Sequence, residues 1–280
     1  MSASQQRVPT RVGDLKVTII GEGDAGPTAV LWHSLFVDER SWERVVPALS
    51  RDRRLILVTG PGHGGSGDPR HRYTMQDCAD AALQVLQTLA VEGPVDWVGN
   101  AWGGHVGIVL AARNPDRIRT LVTAGTPTHP YPRADRLQTS LLLVLYRLLG
   151  PVGYLTDAVA EALLSEHTRT TDHDAVALVR DCFTTADRAG LPNALVSISL
   201  RREDLLPLLP AVQAPTLFIT GSAHPDWTPQ QMQAAAALLP HGSTRVLDGA
   251  AYLIPLEAPA EFTRCVQAHW AATPPLDTHS

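Results

Sequence analysis

Cysteine is scarce in this 280-residue chain, and lysine nearly absent. Cys78, Cys182 and Cys265 are odd in number, far apart and without a C-x-x-C pair, so they are expected as buried, reduced thiols rather than a disulfide or metal site. The eleven histidines include no H-E-x-x-H or H-x-H pattern, and neither a metal nor a cofactor is expected. Excess positive charge is missing too. A formal charge of −5 and a pI near 6.1 give no reason to expect a nucleic-acid partner. The most apolar stretch, Leu141 to Tyr146, is cut short by Arg147 and Gly150-Pro151, far below the roughly 20 residues a membrane span needs. The first residues, MSASQQRVPTRV, carry no apolar signal-like core, so a cytoplasmic location without membrane association is expected.

What is present is an alternation of short apolar runs with helix-length segments, the rhythm of a mostly parallel sheet covered by helices. Strands are predicted at 15–20, 28–32, 54–58, 95–98, 118–123, 216–220 and 244–247. Helices are predicted at 41–49 with Ser41 as cap, at 74–89 with a Thr74/Asp77 capping box, and at 103–112, 229–239 and 259–270. Between about Pro127 and Leu209 the strand signal stops and only helical stretches remain. The expected division is therefore a core of residues 1–126 and 210–280 carrying a helical lid of residues 127–209, inserted after the sixth strand. The polar tail after Thr273 is expected to be loose.

Five landmarks in order, Leu31-Trp-His-Ser-Leu-Phe36, Pro61-Gly-His-Gly-Gly-Ser66, Gly99-Asn-Ala-Trp-Gly103, Gly221-Ser-Ala-His-Pro225 and Gly249-Ala-Ala-Tyr-Leu-Ile-Pro-Leu-Glu257, resemble the α/β-hydrolase family over nearly the whole chain. The third has the shape of the nucleophile elbow G-x-S-x-G with alanine in place of serine. The resemblance implies a triad of serine, acid and histidine, yet the matching positions hold Ala101, His224 and Tyr252. The residues after the strand preceding the lid, Gly125-Thr126, supply no acid either. Serine acyl transfer is thus not expected.

The family's oxyanion hole is made of two backbone N–H groups, which the match assigns to Trp102 and Leu35; such donors survive any loss of side chains. Ser34 and Asn100 flank that site, with His33 and Phe36 beside them, and all are candidate substrate-binding residues. Tyr252 and His224 are the candidate acid–base groups, Tyr252 if its pKa is lowered and His224 in a couple with Asp226. His63 is expected to pack inside its turn, and His105 to sit in the core or on the helix surface. The apolar Leu141–Leu149 segment should pack onto the core and roof a substrate with apolar bulk.

The pattern is similar to that of atypical α/β-hydrolase-fold enzymes from bacterial natural-product pathways, bottromycin-type peptide aspartate epimerases among them. The Ala- and Arg-rich composition resembles that of a high-GC bacterium. This implies a non-hydrolytic epimerase, isomerase or cyclase acting on a small molecule or modified peptide through an enolate-like intermediate. Two alternatives remain open at this point: a catalytically inactive binding protein, and a hydrolase with its nucleophile moved to Ser34 or Ser222.

Overall fold

The computed structural model describes residues 3–21 and 26–273. The polar tail after Thr273 lies outside the described residues.

Eight strands form one sheet: β1 (Ala3–Thr10), β2 (Gly13–Ile20), β3 (Thr28–Trp32), β4 (Arg54–Val58), β5 (Val95–Asn100), β6 (Ile118–Ala124), β7 (Thr216–Gly221) and β8 (Gly242–Leu247). Their order is β1-β2-β4-β3-β5-β6-β7-β8. β1 and β2 pair antiparallel, as do β2 and β4, and every later pair is parallel. The inner strands β5, β6 and β7 are buried at every residue, so they show no alternation of apolar and exposed polar positions, and the charges they carry, Asp96 and Arg119, are paired with each other. β1 escapes the sequence pattern because it is an edge strand with one buried residue, Val8.

Helices Met75–Thr88 and Trp102–Arg113 cover one face and Pro259–Ala272 the other. The Thr74/Asp77 capping box forms as its spacing predicts. The helix expected at 41–49 is instead two short turns, Glu39–Trp42 and Val46–Leu49. Asp38, not Ser41, caps the first by accepting the Arg40 amide, and the Ser41 hydroxyl donates back to the Asp38 carbonyl. Pro47 has no N–H to continue a helix from the first turn, and so it opens the second.

Everything between β6 and β7 with regular structure is helical, beginning with Arg133–Leu149 and Gly153–Leu163. These helices share an apolar cluster that includes Tyr146, Phe183 and Leu253. Arg44 fastens the assembly to the core through Asp172, at 2.5 and 2.9 Å. The Leu141–Leu149 segment does not simply pack inward. Leu143 and Tyr146 are buried, whereas Leu141, Val144, Leu148 and Leu149 are exposed, because one 3.6-residue period cannot turn a continuous apolar run to a single side. Cys78 and Cys182 are buried free thiols, but Cys265 is only partly covered. Among the described residues, no helix is long and apolar enough to cross a membrane.

Candidate active site

The carboxyl ends of β3, β5, β6 and β7 lie side by side, and the loops that leave them build the site. β5 ends at Asn100, and the helix Trp102–Arg113 begins two residues later. The turn between them forces Ala101 to φ 45° and ψ −100°, a conformation that costs an L-residue on the order of 1–3 kcal/mol. Two glycines make so sharp a turn possible. A Cβ on Gly99 would lie 2.2 Å from the Gly103 backbone, and one on Gly103 would lie 1.9 Å from the Trp32 carbonyl oxygen. The Gly103 amide donates to the His33 carbonyl at 3.2 Å, tying the elbow to the loop after β3.

That loop is held from beneath by two histidines. His33 Nδ1–H donates to the Ser34 carbonyl at 2.6 Å, and its Nε2 accepts the Gly60 amide at 2.8 Å. His63 Nδ1–H donates to the Pro61 carbonyl, and its Nε2 accepts the Phe36 amide at 3.3 Å. These bonds fix both tautomers. Burial lowers the His33 pKa to about 4 and, with His33 beside it, that of His63 to about 3, so both rings are neutral at pH 7. His33 therefore corrects the expectation of a substrate-binding residue: both ring nitrogens are committed and it lines no cavity of the site. Asn100 is corrected in the same way. Its Nδ2 donates to the carbonyls of Ala124 and Tyr252, at 2.9 and 2.8 Å, bracing the elbow against the loop after β8.

Above the elbow lies a chamber of about 140 Å³. Ser34, Leu35, Phe36, Ala101, Trp102 and Tyr252 line it. No hydrogen bond among the described residues takes up the backbone N–H of Leu35 or Trp102. A second cavity of about 560 Å³ adjoins the chamber beneath the lid and shares Phe36, Tyr131 and Tyr252 with it. Leu142, Leu145, Leu155 and Val159 give that outer cavity an apolar roof.

The candidate acid–base pair departs from expectation. His224 Nδ1 accepts the backbone amides of Asp226 and Trp227, both at 3.1 Å, so its proton sits on Nε2, on the side of the Gly125 backbone. Burial lowers its pKa to about 4, with Asp226 opposing the shift. The ring packs against Tyr252 at a tilt of 44°, with a centroid separation of 3.9 Å, and lines neither cavity. With its one lone pair occupied and its pKa near 4, His224 is not placed to act as a base near neutral pH. Tyr252 donates its hydroxyl hydrogen to Asp226 Oδ2 in a short contact. Burial first, then the Asp226 carboxylate, raises its pKa far above the usual phenol value rather than lowering it. Tyr252 is a held hydrogen-bond donor, and the couple formed here is Tyr252–Asp226, not His224–Asp226.

Two chamber groups escaped the sequence reading. His105, expected in the core or on the helix surface, lines the chamber; its Nε2–H donates to the Pro127 carbonyl at 2.8 Å and leaves Nδ1 without a partner. Burial, with Arg202 nearby, lowers its pKa to about 3. The second is Arg202 itself, which follows the π-helical turn Leu195–Leu200 of the lid. Neither carries a local signal. An arginine in a polar R-R-E-D run reads as solvent-facing, and only the placement of the lid turns it inward. Among the described residues no cluster of three or more His, Cys, Asp or Glu could hold a metal ion.

Of the two serines considered as relocated nucleophiles, Ser222 is exposed and donates to Asp248 at 2.7 Å. Ser34 lines the chamber, yet no imidazole or carboxylate lies within hydrogen-bond distance of its hydroxyl.

The sequence profile described as "alpha/beta hydrolase fold" matches residues 28–259. The chain belongs to the α/β-hydrolase fold family. A 2-hydroxymuconate semialdehyde hydrolase of Pseudomonas sp. (strain CF600) is 28% identical over 204 residues, 66% of this chain and 69% of that protein. An (E)-2-((N-methylformamido)methylene)succinate hydrolase of Acinetobacter baylyi is 24% identical over 262 residues, 91% of this chain and 94% of that one. Among solved structures, the enol-lactonase of Burkholderia xenovorans LB400 superposes with a TM-score of 0.85 at 26% identity, covering 95% of this chain and 100% of that one. This member of the family carries alanine at the apex of its elbow.

Proposed function

We propose that the chain is an enzyme acting on a carbonyl compound without a covalent intermediate. The reaction is of the epimerase, isomerase or cyclase type, on a small natural product or modified peptide in a bacterial pathway. The observation that carries the reading is the combination at the elbow: a strained backbone turn bearing a methyl group, beside two residues whose amide N–H groups are free. A carbonyl oxygen set against the Leu35 and Trp102 amides would gain negative charge as an α-proton leaves, and fixed donors lower the barrier to any such step. Ser34 and Phe36 would border the reacting group, with its apolar remainder in the outer cavity. Asp226, which accepts the Tyr252 hydroxyl and borders the outer cavity, is the carboxylate we assign to take the proton, from an α-carbon at the junction of the two cavities; Tyr252 is its positioning residue. The alternative acceptors are water and a carboxylate of the substrate itself.

Incubation in D₂O with enolisable carbonyl compounds, followed by mass spectrometry, tests this. One deuterium gained, or a new isomer of unchanged mass, is the expected result. Asp226→Asn should abolish the exchange while the ligand still binds. The hydrolase activities of the relatives favour a second reading, hydrolysis by direct attack of water on a carbonyl held at the same amides. In H₂¹⁸O that reaction would place one heavy oxygen in a cleaved product. Binding with neither exchange nor cleavage would point to the inactive carrier, and a serine-directed phosphonate that labels Ser34 would point to a relocated nucleophile.

A further inference from the structure

Among the described residues, several arginines that reach into the interior are paired with carboxylates. Arg53 and Arg119 share the buried Asp96, Arg40 is bound by Asp38, and Arg44 by Asp172. Arg202 makes no ion pair and no side-chain hydrogen bond among the described residues. Its Nε and Nη2 are both buried and without a partner. These two atoms form one edge of the guanidinium, the edge that meets a carboxylate with two parallel hydrogen bonds. The group rests against Tyr131, with Cζ 5.0 Å from the ring centroid, and lines the inner chamber with Ala101, Leu35 and Trp102. Desolvation lowers its pKa, while Tyr131, Tyr252, Asp226 and Asp135 act the other way from beyond ion-pair distance. A buried charge left without a partner costs a fold several kcal/mol, and such groups concentrate where a ligand completes them.

We infer that Arg202 anchors a carboxylate of the substrate, so that the site takes carbonyl compounds bearing a free carboxylate a few bonds from the carbonyl. The short separation follows from the chamber: about 140 Å³ must hold both the oxygen facing the elbow amides and the anion on Arg202. The rest of the ligand extends into the outer cavity, whose apolar roof suits an aliphatic or aromatic tail. His105 Nδ1, a free acceptor on the same chamber wall, is placed for a water or a ligand N–H or O–H. This inference rests on the site assignment under Proposed function, but not on enolisation taking place there.

The test is calorimetric titration of the full chain with 4-phenyl-2-oxobutanoate and, separately, with its primary amide. The wild type should bind the acid about ten- to a hundredfold more tightly, the range expected for charge-assisted hydrogen bonds to a guanidinium. Arg202→Met should lose that preference, weakening the acid far more than the amide, and Arg202→Lys should keep part of it. Equal affinity for acid and amide in the wild type, or no detectable binding of the acid, would overturn the inference. This comparison needs no variant, so it stands even if a substitution fails to fold. Tighter binding of the matching phosphonate would overturn the choice of a carboxylate. Proton NMR in D₂O on the same samples separates the two claims. Arg202-dependent binding without exchange at C3 keeps the anchor and removes enolisation. Exchange that is equal on acid and amide, and indifferent to Arg202→Met, removes the anchor and keeps enolisation.

Discussion

Returning serine to the elbow is the sharpest test of how the site is built. Ala101→Ser restores the family's G-x-S-x-G pattern on a backbone already bent to present it. A serine hydroxyl is a poor nucleophile until a base takes its proton, and the structure offers none at the expected place. His224 Nδ1 is filled by two backbone amides, and Tyr252 is a protonated donor facing Asp226. Because triad members act as a unit, a missing base alone costs about 10⁶-fold in kcat, or about 8 kcal/mol of transition-state stabilisation. The single variant should therefore hydrolyse p-nitrophenyl acetate, an ester small enough for the inner chamber, no faster than the wild type does. The triple variant A101S/H224D/Y252H is the informative partner. A carboxylate at position 224 can accept the Asp226 and Trp227 amides that His224 now accepts, so the turn should survive, and an imidazole at 252 would restore the base. With both elbow amides waiting, the triple variant should exceed the single one by at least about 10²-fold, well within what an activated nucleophile contributes. Robust hydrolysis by Ala101→Ser alone would mean that the position of the base has been misread. A well-folded triple variant no faster than the single one would refute the claim that Leu35 and Trp102 are held as an oxyanion site.

Two stability measurements probe the same architecture. Ala101→Gly should relieve about 1–3 kcal/mol of elbow strain against about 0.4–1 kcal/mol of added unfolded-state entropy, leaving a gain of about 1 kcal/mol. Calorimetry should show the melting temperature rising by about 2 °C, and a fall would show that the φ of 45° is not strained in this setting. The buried histidines predict acid lability. His33, His63, His105 and His224 have folded pKa values lowered to about 4, 3, 3 and 4 from 6.5, so below pH 6.5 the unfolded chain binds protons that the folded one refuses. Stability is thus fully present above pH 6.5 and falls towards pH 4, by about 1.4 kcal/mol per pH unit for each histidine. Far-UV circular dichroism should place acid unfolding between pH 6 and 4, and a cooperative thermal transition persisting at pH 3.5 would contradict it.

The sequence by itself determined the sheet and an elbow with alanine at its apex. Those features rest on patterns that local chemistry enforces. Strands buried on both faces are mostly apolar, a turn as tight as that at Ala101 demands Gly99 and Gly103, and a hydroxyl missing at position 101 is missing in any fold. The edge strand β1 left no such trace, since an exposed strand needs little apolar side chain. Tertiary structure decided what each polar group does. Whether His224 is a base depends on which atoms reach Nδ1, and they come from the turn that follows it. Tyr252 became a donor because folding buries it against Asp226, a partner 26 residues away. His33 and Asn100, adjacent to the site in sequence, are spent on bracing backbone, whereas Arg202, about 100 residues from the elbow, faces the chamber without a partner. Proximity along the chain fixes backbone shape. Charge and proton affinity follow from desolvation and from neighbours that only the folded chain brings together.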